Sequence, residues 1–165
     1  MTNIKSNLGM YAEETINRTA TFLSSRNICL IEKRELPIKI IKKVDSTTIV
    51  GKLLAKSYID YFGVYKGKYF EFEVKQTIEE KLKLDIIKQH QFERIKFLSE
   101  NNIFCFFVVY FSKYEKFYLI PGKWLLEKKE KAGSVPYEII SKECISLEVV
   151  FPGILNLVEV LDKIL

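Results

Sequence analysis

Hydrophobic and polar positions change period several times along the chain, and each change marks an element. From 9 to 25, Ala12, Ile16, Ala20 and Leu23 recur at spacings of three and four, which predicts a helix with Gly9 and Met10 at its start. Runs rich in β-branched residues at 28–33 and 38–44, separated by Pro37, predict two strands. The stretch 48–56, apolar at 49, 50, 53, 54 and 55, is open between a strand and a short helical projection. Residues 68–75 alternate: Phe70, Phe72 and Val74 point one way and Glu71, Glu73 and Lys75 the other, the signature of a strand with one buried face.

After a polar connection over 76–83, a helix is predicted over 84–101, with Leu84, Ile87, Gln91, Ile95 and Leu98 along one side. Gln91 interrupts an otherwise aliphatic stripe, so its amide must be hydrogen-bonded or belong to a site. Its neighbour His90 reads as a packed or solvent-edge imidazole. The nearly continuous apolar run 103–111 predicts the buried centre of a sheet, and 115–120 another strand. Pro121 opens a helix that runs to Lys131, with Gly133 past its end. The stretches 137–144 and 145–151 carry no decisive period, and 155–165 reads as a terminal amphipathic helix. With no repeat, low-complexity tract or linker, residues 1–165 form a single α/β domain on this reading.

Charged residues inside the aromatic stretch 58–77 need a reason. Lys66-Gly67 reads as a two-residue hairpin loop, which pairs Tyr65 with Lys68 and, stepping outward, Asp60 with Glu73. A three-residue loop without a bulge would turn Asp60 to the other face. Two carboxylates held together repel unless one is protonated or a cation lies between them. Oxygen ligands without thiols suit Mg²⁺, with Mn²⁺ as an alternative. A lysine on the same face, Lys75, would orient an attacking water or balance charge on a phosphate. These are the parts of metal-dependent phosphodiester hydrolysis. Glu79-x-Lys81 and Glu127-x-Lys129 repeat the Glu-x-Lys string but fall in helical or loop-like charged stretches. Spacing alone leaves a nuclease site and a cluster of solvated cross-strand charges both open.

Composition narrows the classes. The chain has 165 residues, of which 48% are hydrophobic, enough for a core and against disorder. No apolar run approaches the roughly 20 residues of a membrane span, and the first residues lack the apolar core of a signal peptide; the expectation is a cytoplasmic protein without a membrane partner. Cys29, Cys105 and Cys144 lack the paired spacing of a zinc site or disulfide framework and are assigned to packing. The net charge is +5, and between Lys33 and Lys68 nine basic residues face three acidic ones. That segment is the candidate phosphate-contacting surface, with a solvated face as the alternative. Glu13, from its position, is a first-turn glutamate favoured by the helix dipole.

Taken together, several motifs resemble the RecU-type Holliday junction resolvases of Gram-positive and wall-less bacteria, within the PD-(D/E)xK nuclease superfamily. They are Gly9-Met10 with Glu13 and Asn17; Leu36-Pro37-Ile38; Asp60-Tyr61 with Gly63 and Gly67; Phe72-Glu73-Val74-Lys75 with Thr77; and His90-Gln91 ahead of the 103–111 strand. The resemblance covers most of the chain. It implies a restriction-endonuclease-like mixed sheet flanked by helices, with a protruding stalk at about 39–58, acting as a homodimer on four-way DNA junctions in recombination and repair. It places Asp60, Glu73, the Val74 carbonyl and Gln91 around Mg²⁺, with Tyr58 at the same site, and gives Lys75 and Glu13 catalytic roles. Lys39, Lys42, Lys43, Lys52 and Lys56 become the DNA-binding residues of the stalk, and a recombinase or branch-migration protein the further candidate partner.

The chain also departs from the family pattern. Leu8 replaces an arginine, Tyr58-Ile59-Asp60 stands where Thr-Thr-Asp is usual, the stalk is several residues short, Gly133-Ser134-Val135 replaces a Gly-Arg-Lys run, and Pro152-Gly153 a Pro-Arg pair. The catalytic acids and lysine survive while several phosphate-binding residues do not, which points to weakened or altered junction binding rather than to lost chemistry. A non-catalytic junction-binding protein, or a related nuclease with another DNA substrate, are therefore the alternative functions.

Overall fold

The structure, a computed structural model, describes residues 10–55 and 58–165. Helix α1 (Met10–Ser25) leads into β1 (Leu30–Lys33), then β2 (Ile38–Lys43) and β3 (Ile49–Leu53), which pair only with each other. Strands β4 (Tyr61–Tyr65) and β5 (Lys68–Thr77) form the central hairpin. Beyond it come β6 (Lys81–Lys83), a 3-10 turn (Leu84–Ile86), α2 (Gln89–Glu100), β7 (Phe104–Phe111) and β8 (Lys116–Pro121). The chain closes with α3 (Gly122–Lys131), β9 (Ser134–Pro136), α4 (Tyr137–Glu143), β10 (Ile145–Leu147), β11 (Val149–Val150), β12 (Ile154–Leu155) and α5 (Leu157–Ile164).

The main sheet has six strands in the order β1-β4-β5-β7-β8-β10; β5 and β7 are parallel and their neighbours antiparallel. A parallel pair needs a crossover, and the segment holding α2 supplies it. On one face α1 and α5 bury Ile16, Leu23, Leu157 and Leu161 against Phe70, Phe72, Phe106 and Val108. The Phe72 and Phe106 rings stack there, with centroids 5.0 Å apart. On the other face α2, α3 and α4 bury Phe92, Ile95, Leu125 and Ile140 against Phe107, Val109 and Phe111. Mixed sheet and flanking helices are the α/β architecture expected.

Three expectations change in detail. The helix predicted from Leu84 begins at Gln89, because Lys88 is extended and the Gln91 side chain accepts its backbone N–H at 3.1 Å, closing the first turn. The ambiguous stretch 48–56 contains a strand, β3. And β5 has two buried faces, not one: Glu71 and Glu73 lie under the second helical layer at 0% and 1% exposure. The cysteines do pack: Cys29 and Cys105 are buried and Cys144 half-buried, and burial pushes the Cys29 thiol up to about 11 and that of Cys144 to about 12.

Candidate active site

The β4–β5 loop sets the geometry of the site. Lys66 and Gly67 both have positive φ, 48° and 77°, the backbone that a two-residue hairpin turn with the right twist requires. The ladder then runs from Tyr65↔Lys68 to Tyr61↔Phe72, so the next residue pair outward is Asp60 and Glu73. Asp60 lies just beyond the paired strand, and its backbone N–H donates to Glu73 Oε2 at 3.0 Å. Lys75 Nζ donates to Glu73 Oε1 at 2.6 Å. Burial raises the pKa of Glu73; Lys75 acts against that rise and the charge of Asp60 adds to it. A carboxylate this buried is not part of a solvated charge cluster.

Strand β4 ends at Tyr61 whereas β5 continues to Thr77 beside β7. The stretch 73–77 therefore has a paired strand on one side only. Gln76 Oε1 accepts the Ala12 N–H at 3.2 Å, which fastens the first turn of α1 to this end of β5. Glu13, in that turn, is half-exposed and bound to Lys33 at 2.7 Å. The Glu13 hydrogen bond raises the pKa of Lys33, and the charge of Asp60 adds to it, so Glu13, Lys33 and Asp60 share one electrostatic neighbourhood.

The other predicted residues fall as follows. Gln91 is 4% exposed on the core side of α2, and its observed hydrogen bond closes that helix. Tyr58 is exposed, with its ring edge-on to His90 at 6.2 Å. Lys39, Lys42, Lys43 and Lys52 lie on the β2–β3 hairpin, where Lys39 and Lys52 are direct cross-strand partners and every residue from 35 to 55 is exposed. Leu8, Gly9 and Lys56 lie outside the described residues.

Sequence reasoning missed Glu71 as a buried group and its partners Arg34 and Arg94. Glu71 accepts hydrogen bonds from Arg34 Nη2 at 2.6 Å and Arg94 Nη2 at 2.5 Å. The burial of Glu71 follows from the pairing of β5 with the apolar β7, a contact between segments distant along the chain. A strand inside a sheet covered on both faces buries both of its side-chain rows.

The donor set fits a hard divalent cation. Among the described residues no group of three or more His, Cys, Asp or Glu side chains could hold a metal ion. The neighbouring carboxylates of Asp60 and Glu73 are oxygen donors of the kind a hard divalent cation takes, through one or two carboxylates while water and substrate phosphate complete the shell. The buried Glu73, already drawn toward one cation in Lys75, also favours a positive neighbour.

Comparison with known proteins gives the family. The family model described as "Recombination protein U" matches residues 7–163. The chain belongs to the RecU family. It is 33% identical to a Holliday junction resolvase RecU of Ureaplasma parvum over 164 residues, 98% of this chain and 95% of that protein. A second relative of the same description, from Mycoplasmopsis pulmonis, is 34% identical over 93% of this chain and 92% of its own length. A third, from Bacillus cereus, is 31% identical over 86% and 74%.

Proposed function

We propose that this chain is a divalent-metal-dependent endonuclease that resolves four-way DNA junctions as a homodimer. The observation that carries the proposal is the buried Glu73 carboxylate, held between the Asp60 amide and the Lys75 ammonium at the open edge of β5. Membership in a family whose relatives are named Holliday junction resolvases supplies the substrate.

Asp60, Glu73 and the Val74 carbonyl would hold Mg²⁺ or Mn²⁺, with Gln91 at the α2 side and Tyr58 at the rim. The bound ion supplies Lewis acidity, lowering the pKa of a water and polarising a phosphate oxygen. Lys75 orients the attacking water and balances charge as it builds on the phosphate. Glu13, paired with Lys33 on the α1 side, is a further acid with a catalytic role. The lysines of the β2–β3 hairpin contact phosphates at the junction, and two copies of the chain cut two symmetry-related strands. A recombinase or branch-migration protein would present the junction.

Cleavage of a mobile synthetic four-way junction, beside linear duplex of the same sequence, tests the reading with Mg²⁺, with Mn²⁺ and with chelator. Paired symmetric nicks in the junction alone, dependent on metal and lost in Asp60→Asn with binding retained, are expected. Equal cutting by Asp60→Asn overturns the assignment of the site. Tight junction binding without nicks under either metal overturns the enzymatic reading in favour of a junction-binding protein.

A further inference from the structure

Glu71 lies on the same face of β5 as Glu73, two residues before it, and is fully buried. Its Oε1 accepts from Arg34 Nη2 at 2.6 Å, from Arg94 Nη2 at 2.5 Å and from the Tyr69 hydroxyl at 2.8 Å; its Oε2 accepts from Arg94 Nε at 3.1 Å. A carboxylate offers about four acceptor positions. Four donors meet Glu71, three at Oε1 and one at Oε2, so its charge is already matched by two guanidinium groups.

The partners come from two other segments of the site. Arg34 follows β1, and its backbone N–H donates to the Asp60 carbonyl at 2.7 Å, so one residue grips Asp60 with its main chain and Glu71 with its guanidinium. The Arg34 guanidinium also lies 5.2 Å from the centroid of the Phe62 ring, the cross-strand partner of Glu71. Arg94 follows Gln91 by three residues on α2, and residues three apart share one side of a helix. Its two-pronged bond to Glu71 fixes both the rotation and the height of α2 against β5. Glu71 thus joins the segment carrying Asp60, the strand carrying Glu73 and the helix carrying Gln91.

We propose that Glu71 is a positioning residue that holds the candidate metal donors in register through Arg34 and Arg94. The inference rests on the active-site reading above. A buried ion cluster is a weak device for stability, since apolar replacements are often as stable, but it is a good one for fixing a single geometry. Neighbours that orient metal-binding side chains, without touching the ion, change metal affinity when they are altered.

The test is Mn²⁺ binding by the full-length protein without DNA, followed by the paramagnetic resonance signal of free Mn²⁺, with thermal melts of each variant beside it. Glu71→Gln and Arg94→Lys should weaken Mn²⁺ binding by about tenfold or more, and Glu71→Asp should recover part of the loss. The Mn²⁺ midpoint for junction cleavage should rise in parallel, with the rate largely restored at saturating Mn²⁺. A purely structural role would lower the melting temperature and the active fraction without moving the midpoint. Folded Glu71→Gln or Arg94→Lys protein with wild-type Mn²⁺ affinity overturns the proposal; if Glu71→Gln does not fold, Arg94→Lys, at a half-buried position, decides. Asp60→Asn separates the two readings. If that variant binds Mn²⁺ like the wild type, the active-site assignment fails; if it loses Mn²⁺ while Glu71→Gln does not, only the positioning role fails.

Discussion

The backbone N–H of Asp60 donates to the Glu73 carboxylate, so the residue just before β4 helps to hold the buried acid of β5 in place. This bond joins the end of β4 to the strand beside it, and the other Glu73 oxygen faces Lys75. An acid, its anchor and its counter-charge are therefore set by one hairpin register.

Lys75 is only partly buried and pairs with Glu73 at 2.6 Å. Lys75→Met should slow junction cleavage by about 10²–10³-fold, the usual cost of removing one group that stabilises developing charge. Binding of the junction in chelator should be unchanged. Single-turnover nicking and gel retardation measure the two quantities separately.

Glu73 gives a pH prediction. Its folded pKa is raised, chiefly by burial, above the ordinary 4.5. The unfolded chain therefore releases this proton first as pH rises, so the stability contributed by the group is full below its unfolded pKa and is lost as pH climbs through the folded one. In metal-free protein, Glu73→Gln should raise the melting temperature by a few degrees at about pH 8 and not at about pH 4. Added Mg²⁺ should stabilise the wild type at the higher pH and leave Glu73→Gln unmoved. Melts with and without chelator check both statements.

Gly63 in β4 is a packing position. A Cβ there would lie 2.6 Å from the Leu30 carbonyl oxygen and would also strike the Phe70 ring. The carbonyl belongs to the neighbouring strand and cannot move aside alone. Gly63→Ala should cost about 1–3 kcal/mol, in the range of overpacked cores, read from denaturant unfolding. Cleavage per folded molecule should fall as well, because β1 and β4 carry Lys33 and lead out of Asp60.

The exposed lysines of the hairpin are expected to act through charge. Replacing Lys39, Lys42, Lys43 and Lys52 together with alanine should weaken junction binding and flatten its salt dependence by about 0.9 in logarithmic slope for each phosphate no longer neutralised. Stability should change by less than about 0.5 kcal/mol per site, as for surface positions generally. Titrations at several salt concentrations and a melt settle the point.

Much of this was legible in the sequence because it depended on local rules. Lys66-Gly67 dictated the turn, the turn dictated the register, and the register put Asp60 against Glu73. The apolar 103–111 run announced a strand covered on both faces. What local rules did not carry was the consequence for β5: its neighbour β7 is distant in sequence, so nothing near Glu71 or Glu73 revealed that helices cover them. Period alone also carried the α2 pattern too far, since Leu84 and Ile87 are buried by a 3-10 turn and an extended link. Gln91 was singled out correctly as a residue needing a partner, and the partner observed is the Lys88 amide. Arg34 counted only toward the basic segment 33–68 and Arg94 was not singled out, because their shared carboxylate lies 37 and 23 residues away along the chain.

The β2–β3 hairpin has no residue in either core, and all of it from 35 to 55 faces solvent. Its length is accordingly decoupled from whether the domain folds. Residues can be inserted or deleted at its tip without disturbing Phe72, Phe106 or the carboxylates beneath them, whereas one residue inserted or deleted in the Lys66-Gly67 turn would displace the whole site. The reach of the arm and the geometry of the hairpin that holds Asp60 against Glu73 are thus free to change at different rates.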